Sequence, residues 1–334
     1  EIHNATLELE GVAQLAFAAR IERAGLTLED FALSLAGGDL AILGPRWIAP
    51  LLAPALGERL RFAGHVGASL EMEEGRVLAF DVVFDAAEMS LAAADGGRGF
   101  GFGPLTGHLP WLAGSSTRAQ LQVQGGYWEA LALGAFDVDA MLKGQQARFE
   151  SMRIPLLDGM LVLDEVELRR ESQDWLGRGS VVLEPVSMRL LTQALGLPSM
   201  GGLLSASLPG VRVSPGEITF DGAVVMSVFD GYVQATQLHV REPFGVASHA
   251  RADIEARHLD LAQLTDTFSF GSITGFVDAD VHGLELVRWR PTSFDARLVS
   301  SPGDYRRRIS QRAVQNISAL GGAGAMAVLQ RGVL

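Results

Sequence analysis

Chemistry in this 334-residue chain would have to come from seven histidines, 39 acidic residues or a glycine-rich loop, because it has no cysteine. The missing thiols exclude a thiolate metal site, a cysteine nucleophile and a disulfide scaffold, and leave the compartment open. His3, His65, His108, His239, His249, His258 and His282 never fall at the spacing of about three to five residues that lets one helix hold a metal. His239, His249 and Asp253 are a candidate cross-strand set, beside the commoner reading of solvated strand-face histidines. Gly96-Gly97-Arg98-Gly99, Gly99-Phe100-Gly101-Phe102-Gly103 and Gly321-Gly322-Ala323-Gly324 lack the flanking sequence of a phosphate or dinucleotide loop, and the first two read as turns or bulges. Glu73-Glu74 and the group Asp164, Glu165 and Glu167 are paired acids. Alternation puts Glu165 and Glu167 opposite Val166 and Leu168, on a polar face. No nucleophile elbow is present. The residues assign no catalytic centre, no metal and no cofactor, and the expectation is a protein that is not an enzyme.

The elements that carry these side chains read as strands. Apolar residues recur with period two, the mark of a sheet with one apolar face. Leu60, Phe62, Val66, Ala68, Leu70 and Met72 share a parity and end at Glu74-Gly75. Leu78, Phe80, Val82 and Phe84 follow, and Asp95-Gly96-Gly97 signals a hairpin. The rhythm returns at Leu121 and Val123, Phe136 and Val138, Leu161 and Leu163, Val166 and Leu168, and Val181 and Leu183. It is clearest at Ile218, Phe220, Val224, Met226 and Val228, and then at Ala250 to Ala256. Ile273, Val277, Ala279 and Val281 follow, with Phe294, Ala296 and Leu298 last. Roughly 15–20 strands with short Gly, Asp or Pro turns predict an antiparallel meander. Helices are few: Trp47 to Leu56, Val186 to Leu195, Asp260 to Thr265, and an amphipathic helix at about 304–320 with Ile309, Ala313, Ile317 and Leu320 on one face. Turn spacing looks irregular, which counts against a fixed-length solenoid.

Hydrophobic residues make up 48% of the chain and mean hydropathy is +0.21, so the sequence is greasy without a membrane span. The run Leu190 to Val211 is long enough to cross a bilayer but is broken by Pro198, Pro209 and four glycines. Ala313 to Gln330 is broken by Gly321, Gly322 and Gly324. The chain begins at Glu1 without a signal-peptide pattern and reads as a segment of something longer. A net charge of −12 argues against a nucleic-acid partner. The one basic cluster is Arg306, Arg307, Arg308 and Arg312, either the solvated face of the last helix or a contact for acidic headgroups or a partner.

A sheet with one apolar face must pair with a second sheet, close on itself, or line a channel. Periodicity alone favours a sealed sandwich or solenoid. The number of strands, the shortage of covering helices and the aliphatic rather than aromatic character of the apolar parity favour an open face that holds acyl chains, at roughly 0.8 kcal/mol per buried CH₂.

From Leu195-Gly196-Leu197-Pro198 and Gly201-Gly202-Leu203-Leu204-Ser205 onward, the chain resembles the YdbH group of AsmA-like proteins of Gram-negative bacteria. Leu208-Pro209-Gly210-Val211, Ile218-Thr219-Phe220-Asp221-Gly222 and Val228-Phe229-Asp230-Gly231 carry the resemblance further. So do Leu259-Asp260-Leu261, Phe268-Ser269-Phe270-Gly271, Trp289-Arg290-Pro291, Phe294-Asp295-Ala296, and Arg308 to Val314 with Ala319 to Gly322. The match covers the last 140 residues or so, and the first 190 fit only as generic AsmA-like strands.

The resemblance implies a mostly β fold: an elongated, twisted, U-shaped antiparallel sheet around an apolar groove, with a few short helices and a C-terminal amphipathic helix. It implies a periplasmic protein, anchored to the inner membrane outside this segment, that conducts phospholipids towards the outer membrane. A small outer-membrane lipoprotein that adds strands near the C-terminus is the implied partner. The expected organisation is one continuous body, with a groove segment at 1–190 and a second at 191–334. The candidate groove residues are Leu78, Phe80, Val82, Phe84, Leu121, Val123, Leu161, Leu163, Val181, Leu183, Ile218, Phe220, Val224, Met226, Val228, Ile273, Val277 and Val281. The alternative is a sealed solenoid or sandwich acting as a surface adhesin or on polysaccharides.

Overall fold

A computed structural model describes residues 2–22, 27–52, 56, 59–92, 99–172, 174–243, 247–288 and 290–320. The hairpin signal at Asp95-Gly96-Gly97 and the glycines at 321–324 lie outside the described residues. Among the described residues the chain is mostly β, with 20 strands assigned to one antiparallel sheet, two more in a separate pairing, and a few short helices. It divides into two compact units, Glu1–Pro155 with Leu163–Arg178, and Leu156–Val162 with Gly179–Leu334.

The first unit opens with β1 (Ile2–Leu9), β2 (Ala13–Glu22) and β3 (Thr27–Asp39). A helical segment follows: α1 (Leu40–Leu43), a π-helical turn (Gly44–Ile48) and α2 (Ala49–Leu52). Then come β4 (Leu60–Glu73), β5 (Arg76–Leu91), β6 (Phe100–Leu112) and β7 (Ser116–Val123). The short strands β8 (Gly126–Trp128), β9 (Leu131–Leu133), β10 (Phe136–Lys143) and β11 (Gln146–Phe149) complete it. The division between units runs through β12 (Met152–Leu156), β13 (Gly159–Glu171) and β14 (Asp174–Ser187).

In the second unit α3 (Met188–Ala194) leads into β15 (Leu203–Ser214), β16 (Glu217–Val228), β17 (Gly231–Arg241) and β18 (His249–Asp260). Next are α4 (Leu261–Thr267), β19 (Ile273–Thr274), β20 (Phe276–Val287) and β21 (Arg290–Ser300). The tiny β22 (Arg308–Ile309) pairs with β19, and α5 (Gln311–Leu320) follows. The last helix thus begins later than its sequence pattern predicts. Ile309 belongs to β22 and is exposed, whereas Ala313 is fully buried.

Register decides which face each residue takes, because cross-strand partners point the same way. In the first unit one row runs Leu7, Leu15, Leu35, Ala68, Val82 and Leu109, and the next runs Ala5, Phe17, Leu33, Leu70, Phe80 and Trp111. The reverse face reads Thr6, Ala16, Ser34, Ser69, Asp81 and Pro110. In the second unit Leu204, Met226, Val233, Ala256, Ala279 and Leu298 form one apolar row, and Ala206, Val224, Ala235, Ile254, Val281 and Ala296 form the next. Their reverse face carries Ser205, Val225, Gln234, Glu255, Asp280 and Arg297.

Bulges interrupt the alternation without moving the apolar side chains to the polar face. Val233 and Ala235 precede Gln237, which has φ +54°, and Val240 continues the face at the other parity. In β20 the switch falls at Gly283 (φ +59°), after which Leu284 and Leu286 succeed Val281. An extra residue in one strand shifts everything beyond it by one position, so a strict period-two count fails there.

The second unit contains a repeat that the turn spacing hides. Met188, Leu191, Thr192, Gly202 and Gly210 correspond to Leu261, Leu264, Thr265, Gly275 and Gly283, each pair 73 positions apart. The hydrogen bonds repeat as well. The Thr192 hydroxyl donates to the Met188 carbonyl (2.8 Å), and the Thr265 hydroxyl to that of Leu261 (2.7 Å). Leu197 N–H donates to the Thr192 carbonyl (2.8 Å), as Phe270 N–H does to that of Thr265 (2.9 Å). Met188 N–H bonds to Gly202 O and Leu261 N–H to Gly275 O, both at 2.9 Å. Strand, short helix, threonine-anchored loop and next strand therefore form one module used twice.

Helix entry follows a shared rule. Asp39 caps α1 by accepting from Ala41 N–H (2.8 Å), and Asp260 caps α4 by accepting from Ala262 N–H (2.7 Å). Replacing either aspartate with alanine is expected to cost about 1 kcal/mol, with asparagine nearly neutral, read from the urea midpoint. No loss in either alanine variant would show that packing alone sets these helix starts.

Candidate apolar troughs

Among the described residues, each unit presents an apolar sheet face that its own short helices cover at one end only. In the first unit Leu40, Val66 and Ala87 are buried, with Leu43 and Ile48 of the helical segment packed among Leu35, Phe62, Val82, Phe84 and Leu105. Ala49, Leu60 and Leu91 form an adjoining buried group with Leu56 and Phe100. Beyond the helix the rows of Leu33, Leu70, Phe80 and Trp111 stay half-buried. The Phe80 and Trp111 rings stack there at 5.3 Å.

In the second unit Met188, Val228, Ala256 and Leu259 make the buried centre, and Leu191 of α3 and Leu264 of α4 pack on it with Met226, Val233 and Ala279. Val224, Ala235, Ile254 and Val281, one row further on, are half-buried and outside that cluster. The row beyond the bulges, with Ile218, Val240, Ala250 and Leu286, is half-buried too. The open part of each face is lined almost wholly by hydrocarbon. Apolar side chains left in water at this density are a standing free-energy gain for any apolar ligand that covers them.

The candidate groove residues separate by position. Phe80, Val82, Phe84 and Leu121 lie on the apolar face of the first unit, half-buried, and Val123 lies on the same face but is buried. Leu78 falls at the bulge opposite Glu71 and Met72 and is 37% exposed. Leu161, Leu163, Val181 and Leu183 are half-buried strand residues. Glu165, at φ +54°, separates the odd-numbered pair Leu161 and Leu163 from the even-numbered pair Val166 and Leu168. Ile218, Phe220, Val224, Val277 and Val281 belong to the second trough, where Val277 touches the buried centre. Met226 packs against that centre and Val228 is buried in it, 3% exposed, so these two sit under the helices. Ile273 leaves the main sheet and pairs with Ile309 in the β19–β22 ladder.

The reverse faces are polar and charge-paired. Arg118 meets Asp139 (2.9 Å), Arg178 meets Glu167 (2.5 Å) and Arg257 meets Asp280 (2.6 Å). Hydrogen bonds from Arg118 and Arg178 hold the Asp139 and Glu167 carboxyls below the usual carboxylate range. Such solvated pairs contribute little to stability and mark the water-facing side. At the helix-covered end of the second unit the buried Ser301 hydroxyl donates to Asp278 (2.5 Å), and His258 N–H donates to the same carboxylate (2.8 Å). Both lower its pKa, the hydroxyl more.

His239 lies against Glu217 and pairs in register with Arg251, His249 pairs with Arg241, and Asp253 accepts from Gly283 N–H (2.8 Å). Among the described residues no group of three or more His, Asp or Glu is arranged to hold a metal ion. No helix among them is long and apolar enough to cross a membrane. What sequence reasoning missed are the residues that close the troughs: Leu40, Leu43, Thr192 and Thr265. The signals were present as Asp-Leu-Ala-x-Leu at 39–43 and 260–264, and as Leu-Thr at 191–192 and 264–265. No family model, curated protein or solved structure matches the chain.

Proposed function

We propose that this protein is a non-enzymatic phospholipid conduit, in which acyl chains lie along the apolar sheet faces and headgroups stay in water. The observation that carries the reading is the half-buried aliphatic rows, Val224–Ala235–Ile254–Val281 above all, beyond the helices that cover only one end of each face. A sealed core would bury those rows. Covering six methylenes of an acyl chain contributes roughly 5 kcal/mol. Contacts of this kind depend on chain length more than on headgroup, as a carrier of mixed phospholipids needs. The resemblance to YdbH-type AsmA-like proteins supports the same reading, and with it a periplasmic location between inner and outer membranes, an anchor beyond this segment and a small lipoprotein partner. Mass spectrometry of solvent extracts from the purified protein is the direct test. Phospholipid at a stoichiometry near or above one per chain is expected. Lipid-free protein that also fails to take up a fluorescent phospholipid would sink the reading and favour a closed structural or adhesive role.

A further inference from the structure

The chain has a net charge of −12, yet from Tyr305 to Leu334 it contains no aspartate or glutamate and five arginines. Four of these, Arg306, Arg307, Arg308 and Arg312, fall within seven consecutive residues and are exposed. None of the four makes an ion pair among the described residues. Arg307 lies over the Tyr305 ring at 4.9 Å. Between the arginines Ile309 is 51% exposed, and Val314 is 45% exposed.

This segment is not a loose tail. The β19–β22 ladder fixes Ile309 opposite Ile273. Ser272 N–H donates to the Ser310 hydroxyl oxygen (3.0 Å), and the Asn316 amide donates to the Phe270 carbonyl (2.6 Å). Ala313 is fully buried where a side chain at Gly271 would collide with it. The fold therefore spends several contacts on holding four exposed guanidinium groups, without an ion pair among the described residues, and the exposed Ile309 side chain in one place.

We propose that this collar docks the protein on the anionic face of a lipid bilayer. Guanidinium groups pair with headgroup phosphates, and Ile309 enters the interface between them. The exposed aliphatics select a bilayer over a nucleic acid, since a phosphate backbone offers them no apolar phase. The inference goes beyond lipid carriage in the troughs and does not need it.

The test is vesicle flotation of the full chain with phosphatidylcholine alone and with added phosphatidylglycerol, over a salt series. Binding is expected only to the anionic vesicles, falling as salt rises. The Arg306→Gln, Arg307→Gln, Arg312→Gln triple variant is expected to bind on the order of 100-fold more weakly, at about 1 kcal/mol per arginine. Ile309→Ser, which removes no charge, is expected to weaken binding severalfold and keeps the test decisive if the triple variant does not fold. Equal binding to neutral vesicles, or binding by the triple variant like wild type, overturns the proposal. So does full competition by soluble glycerol phosphate, which would assign a single-phosphate site, or a preference for heparin over vesicles. Val224→Asp should retain vesicle binding while losing carried lipid, so failure of the collar and failure of the trough are read separately.

Discussion

Val224→Asp is expected to cut the lipid carried by the protein about tenfold or more while leaving it folded, and Val228→Asp, four residues along the same face, is expected to prevent folding. Val224 sits in the open row with Ala206, Ala235 and Ile254. A carboxylate there keeps access to water in the empty protein, so the stability cost is about 1–2 kcal/mol. An acyl chain laid over it would strip that water without supplying a partner, a penalty of several kcal/mol that the apolar contacts of one short stretch do not offset. Val228 is 3% exposed beneath α3 and α4 beside Met188 and Leu259. A carboxylate there loses its hydration on folding, at a cost above about 4 kcal/mol, a large share of a domain's stability. Thermal melts and lipid extracts of both variants check the pair. Ile254→Asp, in the same open row, should repeat the Val224 result. If Val224→Asp unfolds like Val228→Asp, the row is sealed core and there is no trough at that position.

Gly202→Ala is expected to destabilise the second unit by about 3 kcal/mol or more. Gly202 has φ +113°, outside the region open to residues with a side chain, and a Cβ there would overlap the Ser227 carbonyl oxygen of β16. The same glycine accepts the Met188 N–H that starts α3, so it joins helix and strand. Neither the backbone of β16 nor that of α3 can retreat without breaking ladder bonds. Its counterpart 73 positions on is a useful contrast. Gly275 has φ +127°, but a Cβ there would first meet a Tyr305 ring carbon at 3.1 Å, and a ring can move. Gly275→Ala is therefore expected to cost less, about 1–2 kcal/mol. Urea midpoints for the two variants give the comparison. A Gly202→Ala loss below about 1 kcal/mol would mean that the junction is pliant and does not hold α3 on the sheet.

Much of the fold is legible in the sequence, for a simple physical reason. A half-exposed strand must alternate, and Val66 to Met72 alternates because its partners on both sides, Leu33 to Leu35 and Phe80 to Phe84, keep the same apolar parity. The short helices after Asp260 and near Val186 are legible from the change of period and from the glycines and prolines that end them. The last helix starts later than its spacing predicts because Arg308 and Ile309 pair as a strand with Thr274 and Ile273. The repeat is hard to read in the sequence because its identities are few and its constraint lies in the backbone: buried Thr192 and Thr265 and the positive-φ glycines Gly202 and Gly275 recur while the residues between them vary.

The sequence by itself determined that this is a mostly β, antiparallel protein with a few short helices, since residue type and period act locally. Which of the apolar residues meet water was decided only by the tertiary structure. Bulges at Gln237 and Gly283 change the parity, and register then assembles residues from six strands into a single row. The covering helices bury Val228 and leave Val224 half-open, although the two share a strand, a face and a residue type. Burial depends on what lies opposite a side chain, and no period in the chain records that.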